Sequence, residues 1–155
     1  MIFNDIEKEV SRKTIVAVWN SANKGKTETL RRLAMLFKEK FPLAVFSLVD
    51  IPVVGDFRLI ITLNDIKIAI ESQGDPNTKL HERLMELDGL GCNLIICTCR
   101  TKGETVKAIT DMEKECNFET IWTSTYQSTQ KVDRVKLNKL KAKHIFELLQ
   151  EFELL

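Results

Sequence analysis

Apolar positions along the chain change their period several times, and each change marks an element. Thr14 to Trp19 is a continuous β-branched and apolar run, the pattern of a buried parallel strand. Asn20 to Gly25 is small and polar and predicts a tight loop. From Glu28 to Lys40 the residues Leu30, Leu33, Ala34 and Phe37 recur on one helical face. Phe41-Pro42 ends that helix, because the residue before proline avoids helical backbone angles. Leu43 to Val49 is a second apolar run, a strand that ends at Asp50.

Ile51 to Phe57 carries Pro52 and Gly55 and reads as a loop. Arg58 to Leu63 and Ile66 to Ile70 are two short apolar runs joined by Asn64-Asp65, a two-residue hairpin link. Glu71 to Pro76 is polar. Asn77 or Thr78 caps a helix to about Asp88, with Leu80, Leu84 and Leu87 inward and Gly89 and Gly91 as stops. A buried strand follows over Asn93 to Thr98, then a loop over Arg100 to Gly103. A helix spans Glu104 to Cys116, with Val106, Ile109 and Met112 on one face. Glu119 to Thr123 is a last strand, Ser124 to Gln130 a polar loop, and Val132 to Phe152 a long amphipathic helix. Met1 to Lys13 is a polar lead-in. Strands alternating with helices predict an α/β fold: a mostly parallel sheet, helices on both faces, one antiparallel hairpin. The length of 155 residues fits a single domain over 1–155.

Composition narrows the partners. A net charge of +1 provides no global field for nucleic acid, which is disfavoured as a partner. No run reaches the ~18 apolar residues of a membrane span, and the N-terminus lacks a signal-peptide core, so a cytoplasmic chain with no membrane partner is expected. The four cysteines, Cys92, Cys97, Cys99 and Cys116, do not have metal-site spacing and are expected as free thiols. His81 and His144 read as ordinary helical residues, and Trp19 and Trp122 as core-filling strand residues. Lys131 to Lys143 is strongly basic, but its cations do not form one stripe. It reads first as a solvated helix surface, with a partner or nucleic-acid face as the alternative.

The chemistry concentrates where the first strand turns into the first helix. Successive main-chain N–H groups in such a loop form an anion-binding nest. The helix behind it adds free N–H groups and a positive dipole end. The candidate phosphate contacts are Asn20, Ser21, Ala22, Asn23, Lys24, Gly25, Lys26, Thr27 and Glu28. Lys26 is placed to reach β- and γ-phosphates and the Thr27 hydroxyl to hold Mg²⁺. The full phosphate-loop pattern has glycine where this chain has Asn20, and asparagine tolerates left-handed backbone angles well enough to close the loop.

Asn23-Lys24-Gly25-Lys26-Thr27 resembles the loop of P-loop NTPases, including the GTPase and ParA/MinD-type branches. The resemblance covers about a tenth of the chain. It implies a three-layer P-loop fold, with the hairpin beside the phosphate-loop strand as in small GTPases, and a nucleoside triphosphate with Mg²⁺ as ligand. Glu71-Ser-Gln-Gly74 is similar to the D-x-x-G switch loop. That implies that Glu71 holds Mg²⁺ or positions water and that the Gly74 N–H meets the γ-phosphate. Asp50, Gln73 and Asp75 are further carboxylate or amide candidates for the metal or its water. Thr101-Lys-Gly-Glu104 is a poor match to the guanine-reading loop, so ATP is preferred and GTP stays open. Arg100 and Lys102 are candidates for phosphate or base.

Four functions remain: ATP binding with slow or partner-stimulated hydrolysis, a small-molecule or nucleotide kinase, a GTP-binding switch, and a non-catalytic nucleotide-sensing or protein-binding module. A kinase would want an arginine-rich lid, and Arg83, Arg100 and Arg134 are scattered. No cis arginine finger is apparent, so a protein partner could provide one.

Overall fold

A computed structural model describes residues 12–130 and 133–155. Most of the expected lead-in, and the first residue of the expected last helix, lie outside that range. The elements run β1 (Thr14–Trp19), α1 (Lys26–Lys40), β2 (Val45–Phe46), β3 (Arg58–Leu63), β4 (Ile66–Glu71), α2 (Leu80–Gly89), β5 (Leu94–Cys99), α3 (Glu104–Cys116), β6 (Glu119–Ser124) and α4 (Arg134–Glu151). The six strands form one mixed sheet in the order β2-β3-β4-β5-β1-β6. β4, β5, β1 and β6 are parallel, and β3 runs against both of its neighbours.

Side-chain alternation sorts the two faces. Val16, Val18, Ile68, Ile70 and Ile96 pack under Leu30, Leu33 and Phe37 of α1 and Ala142, Phe146 and Leu149 of α4. Ile15, Ala17, Ala69, Ile95 and Cys97 pack under Leu84 and Leu87 of α2 and Ile109 and Met112 of α3. Helix pairs thus cover both faces. Phe37 and Phe146 meet edge to face at 5.3 Å, locking α1 to α4 and fixing where the N-terminus of α1 lies. None of the described helices is long and apolar enough to cross a membrane.

Several boundaries differ from the sequence expectation, each for a local reason. β5 lies between β1 and β4, so the hairpin is not beside the β1–α1 unit. The expected strand Leu43–Val49 is only Val45–Phe46. Leu43, Val45 and Val49 are exposed at the sheet edge, and the Ile60 N–H donates to the Ser47 hydroxyl in place of a ladder carbonyl. α2 opens at Leu80 behind a left-handed Lys79. Thr78 does not cap it, because its hydroxyl donates to the carbonyls of Gln73 and Asp75. Asp133 caps α4, accepting the Lys136 N–H at 3.2 Å. Trp19 and Trp122 do not fill the core: they are 37% and 41% exposed. Both sit toward the carboxyl ends of their strands. Of the four thiols, Cys92, Cys97 and Cys99 are buried, and all four are free.

Candidate functional site

The loop after β1 is held from both sides. The Asn20 N–H donates to the Cys99 carbonyl, extending the β1–β5 ladder by one step. The Asn20 side chain donates to Thr125 Oγ1 at 2.9 Å and accepts the Ser21 N–H at 2.8 Å. Asn20 is therefore a fastener between this loop and the exit of β6. It is not the left-handed residue that the sequence suggested. That role falls to Asn23, at φ 57°, and to Gly25, at φ 79°. A side chain at Gly25 is also excluded sterically, since its Cβ would lie 2.5 Å from the Asn138 Oδ1.

Seven consecutive main-chain N–H groups, Ala22 to Glu28, find no acceptor among the described residues; the next one, Thr29, closes the first helical bond onto Gly25. Left-handed residues alternating with right-handed ones turn successive N–H groups to one side, which makes an anion nest. It opens into a cleft of about 360 Å³ lined by Lys24, Lys26, Thr27, Ser72, Asp75 and Thr98, with Arg134 and Asn138 from α4. The α4 residues are additions that the sequence did not reveal. Arg134 donates to the Asn23 carbonyl at 3.2 Å, so a cis arginine does stand over the loop.

Lys26 is 7% exposed. Its ammonium donates to the Asn20 carbonyl at 2.7 Å and the Ser21 carbonyl at 3.3 Å. Asp75 Oδ1 lies 3.8 Å from it and accepts from Arg100 Nε at 2.9 Å. Burial pulls the Lys26 pKa below the ordinary lysine value, against the opposing pull of Asp75. One carboxylate thus bridges two cations, and an incoming polyanion would compete with it for both.

A second cluster adjoins. Asp56 Oδ1 accepts from the Thr27 hydroxyl at 3.0 Å and from the Ser72 hydroxyl at 3.1 Å. These donors are all oxygen, the set a hard divalent cation prefers, so they fit Mg²⁺. Arg31 holds the loop that carries Asp56. Buried in α1, it donates to the Pro52 carbonyl and, at 3.0 Å, to the Gly55 carbonyl, with Glu28 accepting from its Nε.

The carboxylate that the Thr27 hydroxyl reaches is Asp56, and not Asp50 or Glu71. Asp50 is exposed and, unlike Asp56, accepts no hydrogen bond from Thr27 or Ser72 among the described residues. Glu71 is fully buried but faces the α2 side of the sheet, as Ala69 does. It accepts from Arg58 Nε at 2.9 Å and lies 3.5 Å from Arg83 Nη1. That pairing was readable: a two-residue turn at Asn64-Asp65 places Arg58 directly opposite Glu71. Gly74 does not offer a free N–H, because it donates to the Ser72 carbonyl. Its lack of a side chain serves packing, since a Cβ there would lie 1.8 Å from the Thr98 carbonyl oxygen. Gln73 is half-buried behind Ser72 and does not line the cleft, and Lys102 is exposed on its loop.

Two further hollows flank the cleft. One, about 390 Å³, lies over Tyr126, Gln127, Ser128 and Gln130 and shares Lys24, Arg134 and Asn138 with it. The other, about 280 Å³, is lined by Trp19, Arg100, Thr101, Val106 and Trp122. A groove of about 700 Å³ between α1 and α4 has an apolar floor at Met35 and Leu140 and no share in this chemistry. His81, Asp111 and Glu115 come together on the outer surface of α2 and α3, where Glu115 pairs with His81 and Asp111 with Lys107. Compared with family models, curated proteins and solved structures, the chain has no significant match.

Proposed function

We propose that this chain is a Mg²⁺-dependent nucleotide-binding protein of the P-loop type, taking ATP, with hydrolysis slow or dependent on a partner. The observation that carries this reading is the run of seven N–H groups with no acceptor among the described residues, with buried Lys26 at the start of α1. A helix N-terminus of this kind attracts phosphate by partial charge and by hydrogen bonding together. Neutral loops do not bury a lysine without a strong partner, and among the described residues the only carboxylate within ion-pair distance of Lys26 is Asp75 at 3.8 Å. A polyphosphate would take up Lys26, Arg100 and Arg134, each of which faces this region already.

Thr27, Asp56 and Ser72 are the residues that would hold Mg²⁺. Bound there, the ion supplies charge neutralisation to the β- and γ-phosphates. The chain's own part is positioning: Arg31 fixes the Asp56 loop, and Asn20 fixes the phosphate loop to β6. A second reading, nucleotide sensing without turnover, gains support from Glu71. With its carboxylate held by Arg58 and Arg83, the strand end has no free base.

Isothermal titration with Mg-ATP, Mg-GTP and free nucleotides tests the proposal. Wild-type protein should bind Mg-nucleotide, and Lys26→Ala should lose about 100-fold or more in affinity, the scale of two charge-assisted bonds. Unchanged binding by Lys26→Ala, with its fold intact by circular dichroism, would refute the site. Turnover measured alongside separates hydrolysis from sensing.

A further inference from the structure

We propose that the Trp19/Trp122 cleft holds the base of the bound nucleotide; the inference rests on the phosphate-cleft reading above. These are the only two tryptophans in the chain, and both stand 37–41% exposed at the carboxyl end of the sheet. Ala17 and Cys99, their neighbours on the same face, are fully buried. Register places Trp122 beside Ala17 and Trp19 beside Ser124, so the two indoles are diagonal neighbours on adjacent strands. Core packing does not explain leaving both in water, since tryptophan is the side chain with most to gain from burial. Paired aromatic faces with an arginine are the usual platform for stacking a nucleobase.

The cleft also lies at the right place. Trp19 directly precedes Asn20, the first residue of the phosphate loop. Arg100 lines the cleft and is bonded to Asp75, which lies 3.8 Å from Lys26. One side chain therefore joins the aromatic cleft to the phosphate cleft. At about 280 Å³ the hollow is close to the lower bound of small-molecule pockets, about 300 Å³, which suits one ring system better than a whole nucleotide. The hollow over Tyr126 is less suited. The Tyr126 hydroxyl shares a hydrogen bond with His144 at 2.5 Å, the His144 ring stands edge-on to it, and the Lys141 ammonium lies over the Tyr126 ring. Its aromatic face is occupied.

Intrinsic fluorescence of the full chain tests this directly, because every tryptophan is in the cleft. Mg-ATP and Mg-GTP should each quench the emission by a third or more. Mg-tripolyphosphate, which has no base, should bind by calorimetry and leave the emission unchanged. Trp122→Ala should weaken nucleotide roughly tenfold, the scale of one base–aromatic stack, and leave tripolyphosphate affinity unaltered. Nucleotide binding with unchanged emission, or equal nucleotide affinity in Trp122→Ala, would overturn the base assignment while sparing the phosphate cleft. It would place the base over Tyr126 or leave the indoles to an aromatic residue of a protein partner. If neither nucleotide nor tripolyphosphate bound, the phosphate cleft would fail and this inference with it.

Discussion

Replacing Arg58 by alanine tests whether Glu71 is structural or chemical. Glu71 has no solvent exposure, and its partners are Arg58 at 2.9 Å and Arg83 at 3.5 Å. Removing Arg58 strands a carboxylate in the sheet interior with one distant cation. Breaking a buried pair costs about 3–5 kcal/mol, and the remaining Arg83 places the expected loss near the lower bound, about 3 kcal/mol. Glu71→Gln acts differently. It leaves a neutral side chain of the same shape, and Arg58 keeps Glu86 and partial access to water. Its expected cost is about 1 kcal/mol. The double variant Arg58→Ala with Glu71→Gln should be more stable than Arg58→Ala alone, because no charge is stranded. Urea unfolding followed by far-UV circular dichroism reads all four proteins. With a slope of roughly 2 kcal/mol/M, the Arg58→Ala midpoint should fall by about 1.5 M. A loss below 0.5 kcal/mol on the same scale, or no recovery in the double variant, refutes the buried-pair account. Nucleotide affinity and turnover of Glu71→Gln should match wild type. Lost turnover at wild-type stability would return Glu71 to the chemistry.

Asp56→Ala should raise the Mg²⁺ needed for half-maximal nucleotide binding by about 10- to 100-fold, whereas Asp50→Ala should change nothing. Gly74→Ala should destabilise by about 3 kcal/mol, since its Cβ meets a backbone carbonyl at 1.8 Å and β5 cannot give way cheaply; thermal unfolding measures it. The Lys26 pKa is lowered by burial from 10.5, so between its folded and unfolded values the unfolded chain holds a proton that the native one does not. Stability of the free protein from this group therefore rises with pH through that window, and nucleotide affinity falls through it; calorimetry from neutrality to pH 10.5 should record the fall, and a flat profile would exclude Lys26. Burial raises the pKa of all four thiols, Cys99 to about 11, so exposure decides reactivity: a thiol reagent should label half-buried Cys116 before buried Cys92, Cys97 and Cys99, as read by mass spectrometry.

How far the sequence reached follows from range. Where local pattern decides, it was legible: the β1–loop–α1 unit, the hairpin around Asn64-Asp65 and the α3 bounds at Glu104 and Cys116 all stand. Where a distant partner decides, it was not. Asp50 and Asp56 are both loop carboxylates with no periodicity to separate them; only the hydroxyls of Thr27 and Ser72, distant in the chain, bond to Asp56. Trp19 reads as apolar strand, and only the folded chain shows that its end of the strand stays 37% exposed. The α4 contribution of Arg134 and Asn138 comes from chain roughly a hundred residues beyond the loop. Glu71 is the instructive exception. A two-residue turn fixes the register, and the register alone pairs it with Arg58.

The central assertion is that the amides of residues 22–28 receive phosphate. Amide chemical shifts of ¹⁵N-labelled protein, recorded before and after addition of Mg-tripolyphosphate, measure those donors one by one. Large downfield proton shifts concentrated on Asn23 to Thr27 are expected, with smaller ones at Ser72 and Arg134. Unmoved loop amides at saturating tripolyphosphate, or shifts gathered in the groove between α1 and α4, would contradict the account.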